Sequence, residues 1–75
     1  MENIIKVEDI VESKQFDSNC IINVYDGTKG TWHETEPVWS TLSLTAGKLP
    51  KDIAKRKISY MTIDVNIPAL VIEFE

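Results

Sequence analysis

The chain has 75 residues, of which 43% are hydrophobic and 27% charged, and its formal net charge is −4. This length allows one domain, and this composition argues against intrinsic disorder. The longest apolar run is too short to cross a bilayer and there is a single cysteine, so we expect a soluble cytoplasmic protein without an internal disulfide.

The first part of the sequence predicts a helix followed by a strand. Apolar side chains at helical spacing, with two acids in the first turn, predict a helix over Val7 to Lys14. Residues 15–19 resemble a loop. Apolar and polar residues then alternate from Cys20 to Asp26, which predicts a strand, and the Asp26-Gly27 pair that follows is typical of a turn.

The middle of the chain predicts a second strand and a second helix. Val38 to Leu44 is rich in β-forming residues, and we expect it to pair with the strand that begins at Cys20. Pro50 and the acid two residues later are typical of a helix start. We therefore predict a short helix over Pro50 to Arg56, with Leu49 and Ile53 on its apolar face.

Two strands, Ile58 to Val65 and Ala69 to Phe74, complete the prediction. The predicted fold is a small α+β domain over residues 1–75, in the order α-β-β-α-β-β, with a mainly antiparallel four-stranded sheet. We expect both helices to pack on one face of that sheet. The predicted buried face consists of Ile22, Val24, Ile63, Val65, Leu70 and Ile72.

The opposite face of the predicted sheet also carries apolar side chains, which two short helices cannot cover. A monomer rarely leaves a wide apolar face in water, so one hypothesis is that this face binds another chain. The alternative is that these apolar residues are scattered or that the Trp32 to Ser43 segment shields them. The candidate interface residues are Trp32, Tyr25, Ile58, Tyr60 and Val71.

No pattern of catalytic, cofactor-binding or metal-binding residues is present in the sequence. His33 is the one histidine and lies near Glu34 and Glu36, but this spacing is not specific for a metal. Cys20 opens an alternating strand and is interpreted as a small buried residue. The glycines at 27 and 30 do not form a phosphate-binding loop. We therefore predict a non-enzymatic protein without cofactor or metal.

One segment of this acidic chain is basic. Residues 48–57 hold five basic residues against one acid, and a stripe of them could contact phosphates: Lys48, Lys51, Lys55 and Arg56. The net negative charge and the lack of interleaved aromatic residues favour a solvated helix surface instead. Conversely, the acids could imitate DNA, although eight bases offset the twelve acids.

Three segments carry a resemblance: the strand ending in Tyr25-Asp26-Gly27, the helix opening 49–53 and the closing strand 70–73. Together they resemble small uncharacterised proteins encoded by prophages and mobile elements of Firmicutes-type bacteria. The resemblance implies a bacterial accessory protein, and it implies no functional residue. The leading hypothesis is a module that binds another protein or itself. The alternatives are an acidic inhibitor of a host nuclease or defence system, and nucleic-acid binding through the Lys48 to Lys57 helix.

Overall fold

The computed structural model describes residues 5–12, 21–41 and 48–75 of the chain. Within these ranges the predicted α-β-β-α-β-β order is present, with a 3₁₀ turn (Gly27–Lys29) after the first strand. The α+β class is therefore confirmed. The elements are α1 (Val7–Val11), β1 (Ile22–Asp26), β2 (Trp39–Ser40), α2 (Lys51–Ala54), β3 (Ile58–Asp64) and β4 (Ala69–Phe74).

The four strands form one sheet in the order β2-β1-β4-β3. β1 pairs antiparallel with β2, and β3 pairs antiparallel with β4, as predicted. The described β2 is shorter than the predicted strand Val38 to Leu44, of which residues 42–44 lie outside the described residues. β1 and β4, however, run parallel in the centre of the sheet. The expectation of a mainly antiparallel sheet is corrected to a mixed sheet, because β2 and β3 occupy opposite edges and β4 returns between β1 and β3.

Both helices are short, and each begins at a position that the sequence indicates. The carboxylate of Asp9 accepts a hydrogen bond of 2.9 Å from the backbone N–H of Lys6, which satisfies one donor at the start of α1. Pro50 precedes α2, and its carbonyl accepts the Ala54 N–H at 2.8 Å. Both helices end earlier than predicted, α1 at Val11 and α2 at Ala54. The predicted end of the first helix at Lys14 and the predicted loop over 15–19 lie outside the described residues.

Apolar side chains from α1, β1 and β4 form the core on one face of the sheet. The buried cluster consists of Val7, Ile22, Val24, Ile72 and Phe74. Leu49 and Ile53 are partly buried and pack against this cluster, as the sequence predicts for the apolar face of α2, and Trp39 of β2 packs against it as well. This face is called the helical face below, and the opposite one the reverse face.

The predicted core face is wrong at β3. Ile63 is 54% exposed and Val65 is 81% exposed. Ile63 pairs with Leu70 and so does lie on the helical face, but at an edge strand that the short helices do not cover. Val65 lies beyond the last residue of β3, in the turn that leads to β4.

Ile58 is also placed differently from the prediction. The β3–β4 register shifts between Ile58, which pairs with Phe74, and Tyr60, which pairs with Glu73. A bulge of this kind inserts one extra residue and therefore reverses the side-chain alternation on one side of it. As a result Ile58 packs against the core on the helical face, while Tyr60 stays on the reverse face.

The beginning of β3 is paired on its outer side. The Ile58 N–H donates to the Ile5 carbonyl at 2.8 Å, and the Val7 N–H donates to the Arg56 carbonyl at 3.0 Å. Lys6 and Lys57 form the isolated bridge between these two bonds. From Tyr60 to Asp64, no other described strand pairs with the outer edge of β3.

Candidate functional site

A row of three side chains crosses the reverse face of the sheet. Glu73 on β4 pairs with Tyr25 on β1 and with Tyr60 on β3, so all three side chains share that face. Tyr25 is 6% exposed and Glu73 is 9% exposed, whereas Tyr60 at the edge is 50% exposed. The row therefore leads from a buried tyrosine, through a buried carboxylate, to an exposed tyrosine.

The turn after β1 covers this row. The Trp32 backbone N–H donates to Oε2 of Glu73 at 3.2 Å, which anchors the turn on the sheet. The Trp32 ring lies 6.3 Å from the Tyr25 ring and 3.8 Å from the His33 ring, centroid to centroid. The indole thus contacts a buried phenol and an exposed imidazole.

Local hydrogen bonds fix the path of the turn. Asp26 accepts from both the backbone N–H and the hydroxyl of Thr28, and the hydroxyl bond is the main reason that the pKa of Asp26 is lowered. Glu34 accepts from the N–H and the hydroxyl of Thr31. Gly30 has φ of 134°, a conformation that a side chain would strain.

The covering turn leaves an open depression beside the row. It measures about 350 Å³ and is lined by Thr31, Trp32, His33, Tyr60 and Glu73. Its walls are aromatic, and its buried acidic group is the Glu73 carboxylate. Among the described residues, no lysine or arginine nitrogen lies within 4.0 Å of this carboxylate.

Next to this depression, β3 and the turn after it expose apolar side chains. Met61 is 40% exposed and Ile63 54% exposed on the helical face of β3. Val65 and Ile67 follow in the turn, at 81% and 45% exposed. We call these four residues the β3 apolar row.

The five predicted interface residues do not form one exposed surface. Tyr25 and Val71 are buried within the chain, and Ile58 packs against the core. Only Tyr60 is highly exposed, and Trp32 is half-buried. The hypothesis that the Trp32 segment shields the reverse face agrees with the contact of Trp32 with Tyr25 and Glu73.

The predicted basic stripe is exposed, but two of its members are engaged within the chain. Lys55 forms an ion pair of 3.0 Å with Glu8 of α1. The Arg56 side chain donates to the Glu75 carbonyl at 2.7 Å and lies 4.8 Å over the Phe74 ring. Lys48 and Lys51 are exposed at the start of α2, where Lys51 is the first helical residue.

The single histidine stacks on Trp32, and Glu34 accepts hydrogen bonds from Thr31, so neither is directed at a shared centre. Over the described ranges, no three histidine, cysteine or acidic side chains lie close enough to hold a metal ion. Cys20 lies outside the described residues. In those same ranges, no helix is long and apolar enough to cross a membrane.

Two features of the site were not singled out from the sequence: the Glu73 carboxylate and the exposed β3 apolar row. The signal for Glu73 is present, because one acid alternates with apolar residues in an otherwise apolar final strand. The signal for the row is absent, because the sequence does not say which strand lies at the edge.

Comparison of the chain with protein-family models, with curated proteins and with solved structures finds no match.

Proposed function

We propose that this chain is a non-enzymatic interaction module that binds an extended segment of another polypeptide along the outer edge of β3. The observation that carries the proposal is the exposed β3 apolar row beside a strand edge that no described strand pairs from Tyr60 to Asp64. Edge strands present unpaired N–H and C=O groups, and a further strand can add to them.

The residues of β3 favour strand addition over protection of the edge. Exposed edges are commonly blunted by lysines, prolines or inward-pointing charges. Between Ile58 and Ile63 there is no charged residue and no proline, and Asp64 comes only at the end of the strand. A segment paired here would cover Met61 and Ile63 on the helical face.

Charge complementarity indicates the chemistry of the partner segment. The chain carries a net charge of −4, and the depression next to β3 contains the Glu73 carboxylate without a nearby cation in the described ranges. An extended segment with apolar side chains on one face and basic side chains on the other fits both surfaces.

The alternative functions have less support. Lys55 and Arg56 are engaged within the chain, which leaves fewer free cations for phosphates. Several acids that a DNA mimic would display serve instead as hydrogen-bond acceptors or in ion pairs: Glu8, Asp9, Asp26, Glu34 and Asp64.

The setting that we propose is the cytoplasm of a bacterial cell, as an accessory protein of a phage or mobile element. The support for this setting is the resemblance of the turn, the second helix opening and the final strand to small proteins of that kind. The binding surface proposed above does not depend on this setting.

The test compares capture by the unaltered chain with capture by two lysine variants. Ile63→Lys places a charge on the β3 edge, and Val38→Lys is the matched control because Val38 is 46% exposed and lies next to β2 at the opposite edge. We expect the unaltered chain and Val38→Lys to capture the same protein from a bacterial lysate. Ile63→Lys should capture at least about tenfold less of it, as expected when an interface anchor is lost.

The captured protein is then divided into synthetic peptides, and the amide resonances that the binding peptide shifts are mapped. Shifts concentrated in Tyr60 to Asp64 support strand addition at this edge. Equal capture by both lysine variants contradicts the proposal. Sedimentation equilibrium is run on the same variants. A dimer that Ile63→Lys disrupts and Val38→Lys does not would mean that the β3 edge binds a second copy of this chain and not a foreign partner.

A further inference from the structure

Glu73 is a buried acid without a counter-charge among the described residues. It is 9% exposed, and its carboxylate accepts the Trp32 N–H at Oε2, while its backbone carbonyl accepts the Ser59 hydroxyl. Acidic side chains are seldom this buried unless a cation or several hydrogen-bond donors accompany them. Glu73 also lines a depression that is open to solvent, which gives a cation from outside a route to this residue.

The walls of the depression have the chemistry that binds organic cations. Trp32 and Tyr60 line it from two sides, one from the covering turn and one from edge strand β3. The face of an aromatic ring carries partial negative charge and attracts ammonium groups, tryptophan most strongly. An anion would be repelled by Glu73, and a neutral apolar ligand would bury that carboxylate unpaired.

The backbone positions of both aromatic wall residues are set before any ligand binds. Trp32 is held at its backbone by Glu73 and at its ring by contact with His33 and Tyr25. The backbone of Tyr60 is held by strand pairing with Glu73, and its ring is half exposed. A pre-formed site loses little conformational entropy on binding. Its volume of about 350 Å³ is at the small end of ligand pockets and suits a group the size of an alkylammonium head.

We infer that the depression is a binding site for an organic ammonium group, with Glu73 as counter-charge and Trp32 and Tyr60 as aromatic walls. The site goes beyond the proposed function, because it needs no partner polypeptide and can bind a free small ammonium ion. Its residues also differ from the β3 apolar row.

The inference is tested by fluorescence in a Trp39→Phe background, which leaves Trp32 as the one tryptophan. The probes are tetramethylammonium chloride and N-acetyl-lysine methylamide, each titrated against sodium chloride at equal ionic strength. We expect a saturable change in Trp32 fluorescence with the organic cations and not with sodium. A difference in affinity between the two probes separates a quaternary ammonium ligand from a lysine side chain.

Two variants and one control locate the site. Glu73→Gln removes the charge and keeps an oxygen that can accept the Trp32 N–H, and we expect it to weaken binding at least about tenfold. Tyr60→Ala should also weaken binding, and it keeps the fold because Tyr60 is 50% exposed. Glu36→Gln removes an exposed acid outside the depression and should leave the affinity unchanged.

A response equal to that of sodium, or one that Glu73→Gln and Tyr60→Ala leave unchanged, overturns the inference. Failure of this site is distinguishable from failure of the proposed function. The Ile63→Lys variant should bind the small ammonium probes normally, whereas it should lose the polypeptide.

Discussion

The two faces of the sheet are closed in different ways. On the helical face, apolar side chains from both helices and from the central strands pack into a cluster in which Ile72, Val7 and Val24 are fully buried. On the reverse face, burial of Tyr25 and Glu73 involves one turn that is anchored by a backbone N–H and a carboxylate. One face is therefore closed by hydrophobic packing, and the other by a turn that a hydrogen bond from Trp32 to Glu73 holds on the sheet.

The same contrast appears within the helical face, between its centre and its edge. Ile72 on β4 is completely buried, whereas Ile63 on β3 is more than half exposed although both side chains are on the same face. The short helices α1 and α2 explain this, because their apolar residues reach the central strands and the start of β3. Among the described residues, the outer edge of β3 from Tyr60 to Asp64 is therefore left without a pairing strand.

The largest expected loss of stability is at Ile72, in the buried centre of the helical face. Ile72→Ala should destabilise the chain by about 2–5 kcal/mol, because it removes buried methyl groups and leaves a cavity in a packed core. The matched control Ile63→Ala makes the same chemical change at the edge and should alter stability by less than about 0.5 kcal/mol. Urea unfolding followed by circular dichroism measures both. Equal losses in the two variants would contradict the contrast between centre and edge.

The next effect tests the cover of the reverse face. Gly30 has φ of 134° and ψ of −172°, a region that is essentially restricted to glycine. Gly30→Ala should cost about 1–3 kcal/mol in folding free energy, because the alanine strains the turn that carries Trp32. The measurement is urea unfolding, with Trp32 fluorescence in a Trp39→Phe background as a local report.

Lys29→Ala is the control for this change, since Lys29 is exposed at the end of the 3₁₀ turn. It should leave both stability and Trp32 fluorescence nearly unchanged. If Gly30→Ala has as little effect as Lys29→Ala, then the path of the covering turn is not fixed at Gly30.

Much of the fold could be predicted because local patterns determine it. Alternation alone identifies β1, β3 and β4, and the proline and acid around residue 50 identify the start of α2. The parallel pairing of β1 with β4 could not be predicted, because strand order depends on contacts between distant residues. The bulge that directs the Ile58 side chain to the core could not be predicted from the sequence either. It depends on the backbone of β3 and not on a particular residue type.

The candidate site was predictable only in part, for the same physical reason. Trp32 and Tyr60 could be proposed as surface residues one at a time. Their convergence on Glu73 depends on the β3–β4 register and on the long connection from β1 to β2 folding back over the sheet. Long-range register of this kind is set by the whole fold, whereas the local sequence indicates only which residues alternate.

The smallest expected effect is a loss of stability at high pH that involves Tyr25 on the reverse face. Burial, together with the negative charge of Asp64, raises the pKa of Tyr25 above its ordinary value of about 10. The folded chain therefore holds this proton more tightly than the unfolded chain does. Its contribution to stability is fully present below about pH 10 and is lost as the pH rises through the higher folded pKa.

This contribution is isolated by urea unfolding of the unaltered chain and of Tyr25→Phe at pH 8 and pH 11. Tyr60→Phe, which changes the exposed tyrosine of the same row, is the control. We expect the free energy of unfolding of the unaltered chain to fall between the two pH values by more than that of Tyr25→Phe, which has no phenol to ionise. A difference between the two chains that is the same at both pH values would mean that solvent reaches the Tyr25 hydroxyl. In that case the covering turn encloses less of the reverse face than the burial of Tyr25 indicates, and the depression beside Glu73 would be one part of a wider opening.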